Sequence, residues 1–371
     1  MSGVLSEVYG WDASEWQVVI HTVDMVTIQY LLIPKKIVQD KSMLERPRRN
    51  RRTSSIRSLI RETKVGVDDL VYPLFIQDGE SIKEEISSLP GNFRWSIDTL
   101  LDEIGSCLDV GLHSFVLFPK VSDKKKDKIG SYGLSESNFY LAAAQKIKAT
   151  YPQLTLISDV ALDPYSSDGH DGLVIDGVID NDQTIDTLSE MSVLQAQAGF
   201  DIIGPSDMMD GRVEELRDAL DHAGYVDTGI MSYTAKYASG LYGPFRDALD
   251  SAPVEDESIP KDKRTYQMDP ANKREAIREA DLDTAEGADF LMVKPALHYL
   301  DIIQTLKENY SLPIAAYHVS GECAMLIAAA QKGWLDYDIV MPEVLLSIKR
   351  AGADVILTYF AKDFAQKQKR G

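Results

Sequence analysis

"DFLMVKPA", residues 289–296, places a lysine at the end of an apolar run. Residues 290–293 are typical of a buried strand, Lys294 follows them, and Pro295 ends the run. Burying an ammonium group is unfavourable by several kcal/mol unless the group is paired or releases its proton. A neutral lysine is a nucleophile toward carbonyl carbons. The structural alternative is a strand-end lysine whose tip reaches water.

Seven other apolar runs share this character, and each is followed by a helical pattern. With residues 289–295, the runs are 70–76, 114–121, 155–163, 200–207, 228–236, 312–320 and 354–361. Near-continuous apolar runs are typical of parallel strands buried on both faces. Eight strand–helix units predict an α/β protein with a (β/α)8 TIM-type barrel. The alternative is an open doubly wound sheet, but no GxGxxG motif follows a strand.

Composition excludes several classes of protein. The net charge of −19 argues against a nucleic-acid-binding protein as a whole. Two cysteines are too few for a disulfide framework, and they suit a reducing cytoplasm. No apolar run approaches the roughly 20 residues that a membrane helix needs. We therefore expect a cytoplasmic enzyme with no nucleic-acid or membrane partner.

The chain has three regions of different character. Residues 1–42 show no clear period and stay unassigned, residues 43–62 form a basic arm with an early proline, and residues 63–371 form the barrel. The basic cluster "RPRRNRR" (46–52) suits either of two partners. It could bind nucleic-acid phosphates, which would make the chain a binding module rather than an enzyme. It could equally pack onto an acidic neighbouring subunit.

A second lysine is expected at the same end of the barrel. The fifth apolar run finishes with "SYTAK", so Lys236 and Lys294 both end strands at the face where barrel enzymes carry their chemistry. Adjacent strands lie roughly 4.8 Å apart, which allows the two amines to approach within about 6 Å. At an effective dielectric of ~20 their repulsion is about 2.8 kcal/mol, enough to lower a pKa by about 2. The pair therefore predicts Schiff-base chemistry, with two independent surface lysines as the alternative.

The third run leads into an acidic loop, "DVALDPYSSDGHDG" (159–172). Asp159, Asp163 and Asp171 are expected at the barrel mouth beside His170, where they would hold a hard cation or act as general base. A turn enriched in Asp, Ser and Gly is the alternative. The segment 237–268 is too long for an ordinary connection and predicts either a lid or a solvated loop.

Four stretches together closely resemble the porphobilinogen synthase (5-aminolaevulinate dehydratase) family, over about residues 44–371. They are "GPSDMMDGRV", "MSYTAKYASGLYGPFRDA", "KRTYQMDPAN" and "FLMVKPA". The resemblance implies a barrel whose arm embraces a neighbour, usually in a homo-octamer. It also implies condensation of two 5-aminolaevulinate molecules into porphobilinogen, with loss of two waters, for tetrapyrrole synthesis. The enzyme alternative is a class I aldolase-type Schiff-base lyase, which needs only one lysine.

The resemblance also assigns roles to residues. It implies that Lys294 forms the first Schiff base and that Lys236 engages the second substrate. It implies carboxylate binding by five others: Ser320 and Tyr359 for the first substrate, and Arg246, Lys263 and Gln267 for the second. An amine nucleophile with a cationic or hydroxyl clamp suits a substrate that carries a ketone and a carboxylate.

The metal loop departs from the zinc-dependent branch of this family. Three cysteines of that branch are replaced here by Ala161, Asp163 and Asp171, so zinc is not expected. The aspartate-rich variety is associated with magnesium, and these aspartates either hold a catalytic cation or act without one.

The resemblance further implies a separate allosteric magnesium bound by Glu279, with Asp207 and Arg212 in its outer shell and water as most of its ligands. Residues 1–42 match nothing in the family. Met43 is therefore a candidate start of the natural chain, an expectation that any native peptide from residues 1–42 would refute.

Overall fold

The computed structural model describes residues 16–22, 28–34 and 45–370. The chain divides into two compact units, residues 1–62 and 63–371. Within the predicted extension, strands β1 (Trp16–Thr22) and β2 (Ile28–Pro34) pair antiparallel. The rest of that extension, and Met43, lie outside the described residues.

The basic arm contains a short 3-10 helix, Pro47–Arg51, and the helix α1, Ser54–Leu59. Thr53 begins α1, since its hydroxyl accepts a hydrogen bond from the backbone N–H of Ile56 at 3.2 Å. Neither helix has a buried residue, and Leu59 is 85% exposed. The arm thus exposes its arginines together with Leu59 and Ile60.

Residues 63–370 form a closed parallel barrel, as predicted. The strands are β3 (Leu70–Gln77), β4 (Lys83–Glu85), β5 (Phe93–Trp95), β6 (Ser114–Lys120), β7 (Thr155–Ile157), β8 (Leu173–Ile175), β9 (Val178–Asp180), β10 (Ile202–Ile203), β11 (Gly229–Lys236), β12 (Phe290–Lys294), β13 (Ile314–His318) and β14 (Val355–Thr358). The barrel runs β3-β6-β7-β10-β11-β12-β13-β14 and closes where β14 pairs with β3. Each barrel strand coincides with one of the eight predicted runs. Residues 70–76 are all buried, as expected for a strand covered on both faces.

Helices follow the barrel strands, which is the usual arrangement of this fold, and one short helix, Gly243–Leu249, lies in the long segment after β11. They are α2 (Ile97–Leu108), α3 (Phe139–Thr150), α4 (Asn181–Ala198), α5 (Arg212–His222), α6 (Gly243–Leu249), α7 (Arg274–Ala285), α8 (Leu300–Asn309), α9 (Ser320–Gln331), α10 (Tyr337–Ala351) and α11 (Ala361–Arg370). In α4, for example, Leu188 and Met191 are buried on one face. Among the described residues, no helix is long and apolar enough to span a membrane.

Strands β7 and β10 are much shorter than the apolar runs that predicted them. Beyond Ile157 the segments that contain β7 and β10 stay close. The Ser158 N–H donates a hydrogen bond of 2.9 Å to the Ile202 carbonyl oxygen. At Gly204 they approach so closely that a Cβ would lie 2.5 Å from the Ser158 carbonyl oxygen. Backbone bonds continue from the Val160 N–H to the Gly204 carbonyl, 3.0 Å, and from the Ser206 N–H to the Val160 carbonyl, 3.1 Å, so the pairing extends into the acidic loop that begins with Asp159.

The close approach at Gly204 predicts a selective effect on stability. Gly204→Ala should destabilise the barrel by about 1–3 kcal/mol, because the backbone of Ser158 cannot yield as a side chain can. Gly229→Ala is the matched control, since its Cβ would meet only ordinary contacts at 3.6 Å. Urea unfolding of the two variants measures the difference. Equal midpoints for both would contradict this account of the close approach.

Candidate active site

The two predicted lysines meet at the carboxyl end of the barrel. Lys236 and Lys294 are the last residues of β11 and β12, and they are paired in register. The register shifts by one residue between Ser232 and Ala235, as a β-bulge does. Because of that shift Lys236 stands opposite Lys294, and both buried side chains line one cavity.

Lys294 is surrounded by aromatic rings. Its Nζ lies 4.5 Å from the ring centre of Tyr317, 5.0 Å from those of Tyr233 and Phe245, and 5.3 Å from that of Tyr242. Ring faces attract a cation within about 6 Å, but they accept no proton and form no ion pair. Among residues 63–370, no carboxylate lies within ion-pair distance of this ammonium group. The charged form of Lys294 therefore has weak support.

The pKa of Lys294 is lowered to about 7. Burial is the largest cause, the positive charge of Lys236 is the second, and the nearby aspartates oppose both. The sequence predicted repulsion between the lysines as the cause, and the structure adds desolvation as the larger effect. A large fraction of Lys294 is consequently an uncharged nucleophile near neutral pH.

Lys236 has the polar partners that Lys294 lacks. Its ammonium group donates a hydrogen bond to the carbonyl oxygen of Ser206 and lies 3.4 Å from Oδ1 of Asp171. Ser206 was not predicted from the sequence, because any residue type can supply a carbonyl. The two lysines therefore differ in environment, although their backbones are equivalent neighbours.

Asp171 is the centre of the charge network. Its Oδ2 accepts from Lys263 Nζ at 2.9 Å and from the Tyr266 hydroxyl at 2.8 Å. Burial alone would raise the pKa of Asp171, but the charges of Lys236 and Lys263 hold it well below the usual range. His170 joins the same network at its edge, with Nδ1 3.0 Å from the Tyr266 hydroxyl.

Lys263 is held by aspartates rather than left free. It lies 3.1 Å from Asp163 and is 6% exposed. Burial would lower the pKa of Lys263, but Asp163 and Asp171 raise it above the ordinary value. The predicted carboxylate-binding lysine thus already has carboxylate partners from the protein.

Asp159 has a different environment from the other two aspartates. It is buried, its Oδ1 has no hydrogen-bond partner among the described residues, and burial together with Asp163 raises its pKa to about 7. Its backbone is fixed, since its N–H donates to the Tyr140 hydroxyl at 3.0 Å. A carboxyl group with this pKa can exchange protons near neutrality.

The predicted lid closes the cavity. Arg246, in α6, lines it together with Lys263 and Gln267, which follow in the same long segment. The enclosed volume is about 20 Å³, room for about one water. Within residues 63–370 no carboxylate pairs with Arg246, and the buried Oε1 of Gln267 has no partner. The segment 237–268 thus brings a cation and an unsatisfied acceptor to a cavity with room for about one water.

Ser320 and Tyr359 do not line the cavity but lie one side chain away. The Ser320 hydroxyl accepts a hydrogen bond from the Phe245 N–H at 3.0 Å, and the Tyr359 hydroxyl lies 3.1 Å from that of Tyr317. Phe245 and Tyr317 both contact Lys294. The aromatic residues around Lys294 are the main feature that sequence reasoning missed. The sequence shows only that these aromatic residues lie in the strand and lid segments.

Glu279 lies apart from the lysines, in a larger cavity of about 640 Å³ that Asp210 and Glu275 also line. Burial raises the pKa of Glu279 to about 7. Asp207 and Arg212 are fully buried nearby, with Oδ2 of Asp207 3.7 Å from Nε of Arg212. Among the described residues, no three His, Cys, Asp or Glu side chains converge as a metal-binding group.

This chain is similar in sequence and fold to proteins of known family. The family described as delta-aminolevulinic acid dehydratase matches residues 44–367. The Chlamydia pneumoniae delta-aminolevulinic acid dehydratase is 50% identical over 320 residues, covering 86% of this chain and 95% of the relative. The chloroplastic protein of that name from Physcomitrium patens is 52% identical, covering 87% and 74%. The Toxoplasma gondii structure, in complex with the reaction product porphobilinogen, has a TM-score of 0.85 and 45% identity, covering 94% of this chain and 95% of that one.

The lysine pair predicts a measurable change in the pKa of Lys294. Lys236→Met should raise it from about 7 toward the ordinary value, because a neighbouring positive charge is lost. Labelling of Lys294 by an amine-reactive reagent at pH 7 should slow about fivefold for a rise of one pKa unit. Mass spectrometry across a pH series reports the titration.

Lys236→Arg is the matched control, since it keeps the charge and should leave the labelling profile of Lys294 in place. An unchanged profile in Lys236→Met would mean that burial alone sets this pKa.

Proposed function

Because this chain belongs to the delta-aminolevulinic acid dehydratase family of lyases, we propose that it condenses two 5-aminolaevulinate molecules into porphobilinogen for tetrapyrrole synthesis. One observation carries the proposed mechanism: Lys294 is buried among aromatic rings with a pKa of about 7, directly opposite a second lysine, Lys236. Ketone substrates require an uncharged amine for attack, and this environment provides one near neutral pH.

The first step uses Lys294. Its neutral amine attacks the ketone carbon of the first substrate, and loss of the ketone oxygen as water gives an imine. Asp159 lines the same cavity and has a pKa near 7, so it suits the role of accepting and returning the protons of this step. Ser320 and Tyr359 are the hydroxyl groups proposed for the first carboxylate.

The second substrate engages Lys236 in the same way, after the Lys236 ammonium group has passed a proton to Asp159, which lines the same cavity. Each imine formation releases one water, which accounts for the two waters of the overall reaction. The two lysines then leave as free amines when the carbon–carbon and carbon–nitrogen bonds of the ring form. Both nucleophiles are thereby regenerated.

The lid cations are proposed to bind the second carboxylate. Arg246 lines the cavity without a carboxylate partner in the described barrel, whereas Lys263 must exchange Asp163 and Asp171 for the substrate. The enclosed 20 Å³ is too small for either substrate, so binding requires the segment 237–268 to move.

An aldolase-type lyase remains the second candidate from the sequence. It would need Lys294 alone, and it gives no reason for a second buried lysine paired in register with the first. The geometry therefore favours the two-lysine reaction.

Borohydride trapping tests the proposal. Incubation with 5-aminolaevulinate and borohydride should leave a reduced adduct on Lys294. Lys294→Met should remove this adduct and lower pyrrole formation by at least about 10³-fold, the scale expected when a covalent nucleophile is lost.

Lys236→Met should keep the Lys294 adduct while abolishing the pyrrole product. Lys362, an ion-paired lysine 2.7 Å from Glu103, serves as the internal control that should stay unmodified. Peptide mapping identifies each site. An unmodified Lys294 in the wild-type protein would overturn the mechanism.

We also propose that magnesium binds at Glu279 and regulates the enzyme. The cavity there is lined by carboxylates and by no cysteine thiolate, and its volume leaves room for the water ligands that magnesium prefers. A bound divalent cation would favour the charged form of Glu279, which burial now disfavours. Asp207 and Arg212 would orient the water shell. The aspartates at the barrel mouth are less suited to a cation, because Lys263 already occupies the space between two of them.

Glu279→Gln should weaken magnesium binding at least about tenfold and remove activation by magnesium after EDTA treatment. Equilibrium dialysis measures the binding directly, and a pyrrole assay measures the activation. Glu275→Gln, one helical turn away in the same cavity, is the matched control and should retain both. Wild-type affinity in Glu279→Gln would refute this site.

For assembly and compartment we propose a homo-octamer in the cytoplasm. The exposed arginines and apolar residues of the arm suit a subunit interface on an acidic barrel. Both cysteines are free and buried, which is compatible with a reducing compartment.

A further inference from the structure

We propose that Glu322 is a positioning residue that fixes the distance between Lys294 and Ser320, and so between the groups that hold the ketone and the carboxylate of the first substrate. This inference rests on the proposed function. It concerns a residue outside the lysine cavity, in the first turn of α9, which neither binds substrate nor exchanges protons with it.

Glu322 is a buried carboxylate whose two oxygens have different partners. It is 1% exposed. Its Oε2 accepts a hydrogen bond from the backbone N–H of Val319 at 3.0 Å. Its Oε1 accepts from the backbone N–H of His298 at 3.3 Å and lies 3.1 Å from Nδ1 of the same residue. The carboxylate therefore ties the short loop that begins its own helix, at Val319, to the separate loop that contains His298.

Those two loops carry the groups of the first substrate site. His298 lies four residues after Lys294, in the connection that follows β12. Val319 directly precedes Ser320, in the connection that follows β13. Strands β12 and β13 are hydrogen-bonded neighbours, and their last paired residues are Val293 and Ala316. Beyond Val293 and Ala316, Glu322 joins the loop that contains His298 to the loop that contains Val319.

The same turn also supports the lid. A Cβ at Gly321 would collide with the carbonyl oxygen of Leu241, so the start of the lid segment packs directly against this turn. The Phe245 N–H, in α6, donates to the Ser320 hydroxyl. Since that bond uses a lone pair of Ser320, the hydroxyl hydrogen stays available to a substrate carboxylate. Movement of the turn would displace both Ser320 and the base of the lid.

A carboxylate is the group that this bridge requires. Both backbone partners of Glu322 are N–H donors, so each oxygen must accept. In Glu322→Gln the amide nitrogen would face one of these donors, and that loop would lose its attachment. The amide has nearly the same size, so the variant changes the bridge without creating a cavity.

The test is the concentration of 5-aminolaevulinate that half-saturates borohydride trapping on Lys294. Glu322→Gln should raise it about tenfold or more, because the carboxylate and the ketone no longer bind in register. Aminoacetone, a ketone without the carboxylate, should be trapped equally by the wild type and the variant, since it does not use Ser320. His298→Ala removes one partner from a half-exposed position and should raise the value two- to threefold.

Asp354→Asn is the matched control at the opposite end of β13, where Asp354 accepts from the Ile314 N–H at 2.8 Å. It should lower stability without changing half-saturation. The inference is overturned by wild-type half-saturation in Glu322→Gln, by an equal rise in Asp354→Asn, or by an equal loss with aminoacetone. If Glu322→Gln does not fold, His298→Ala decides in the same way. Failure of the proposed function itself would appear separately, as a wild-type protein with no Lys294 adduct.

Discussion

An ammonium group enclosed by aromatic rings, without a carboxylate partner in the described barrel, is the constraint on which this site depends. Burial is unfavourable for the charged form of Lys294, and the rings around it offer attraction without accepting a proton. Two of the three aspartates nearby are directed elsewhere: Asp163 and Asp171 pair with Lys263, and Asp171 also pairs with Lys236. If Asp163 or Asp171 were paired with Lys294 instead, the amine of Lys294 would stay protonated at neutral pH.

The charge network explains how a strongly acidic chain can serve an anionic substrate. Removing Lys263 would leave the buried carboxylate of Asp163 without a cation and Asp171 with Lys236 alone, at a cost of several kcal/mol. Under the proposed function, the second substrate carries both charges needed for the exchange. Its carboxylate takes the Lys263 ammonium, while its own amino group, when protonated, can approach the vacated aspartates. A substrate with only one of these charges would leave part of the network unpaired.

Sequence reasoning predicted the elements better than their local geometry. The eight apolar runs located every barrel strand, because burial on both faces leaves a pattern that needs no neighbours to read. The bulge in β11 left no such pattern, yet it decides that Lys236 opposes Lys294. Repulsion between Lys236 and Lys294 was predicted, because the spacing of adjacent strands alone places their two charges close together. Desolvation depends on Tyr233, Tyr317 and the lid rings, which converge only in three dimensions. Composition likewise does not reveal the close backbone approach at Gly204.

Phe245 connects the proposed site of the first substrate to the lid more directly than the lid cations do. Its ring lies 5.0 Å from the Lys294 ammonium, and its N–H donates to Ser320. A substrate whose ketone reaches Lys294 and whose carboxylate reaches Ser320 competes for contacts that Phe245 makes in the closed state. Because Phe245 and Arg246 are consecutive residues of α6, any movement that admits the first substrate also moves a cation proposed for the second. Under the proposed function, the two substrate sites are therefore connected through one short helix.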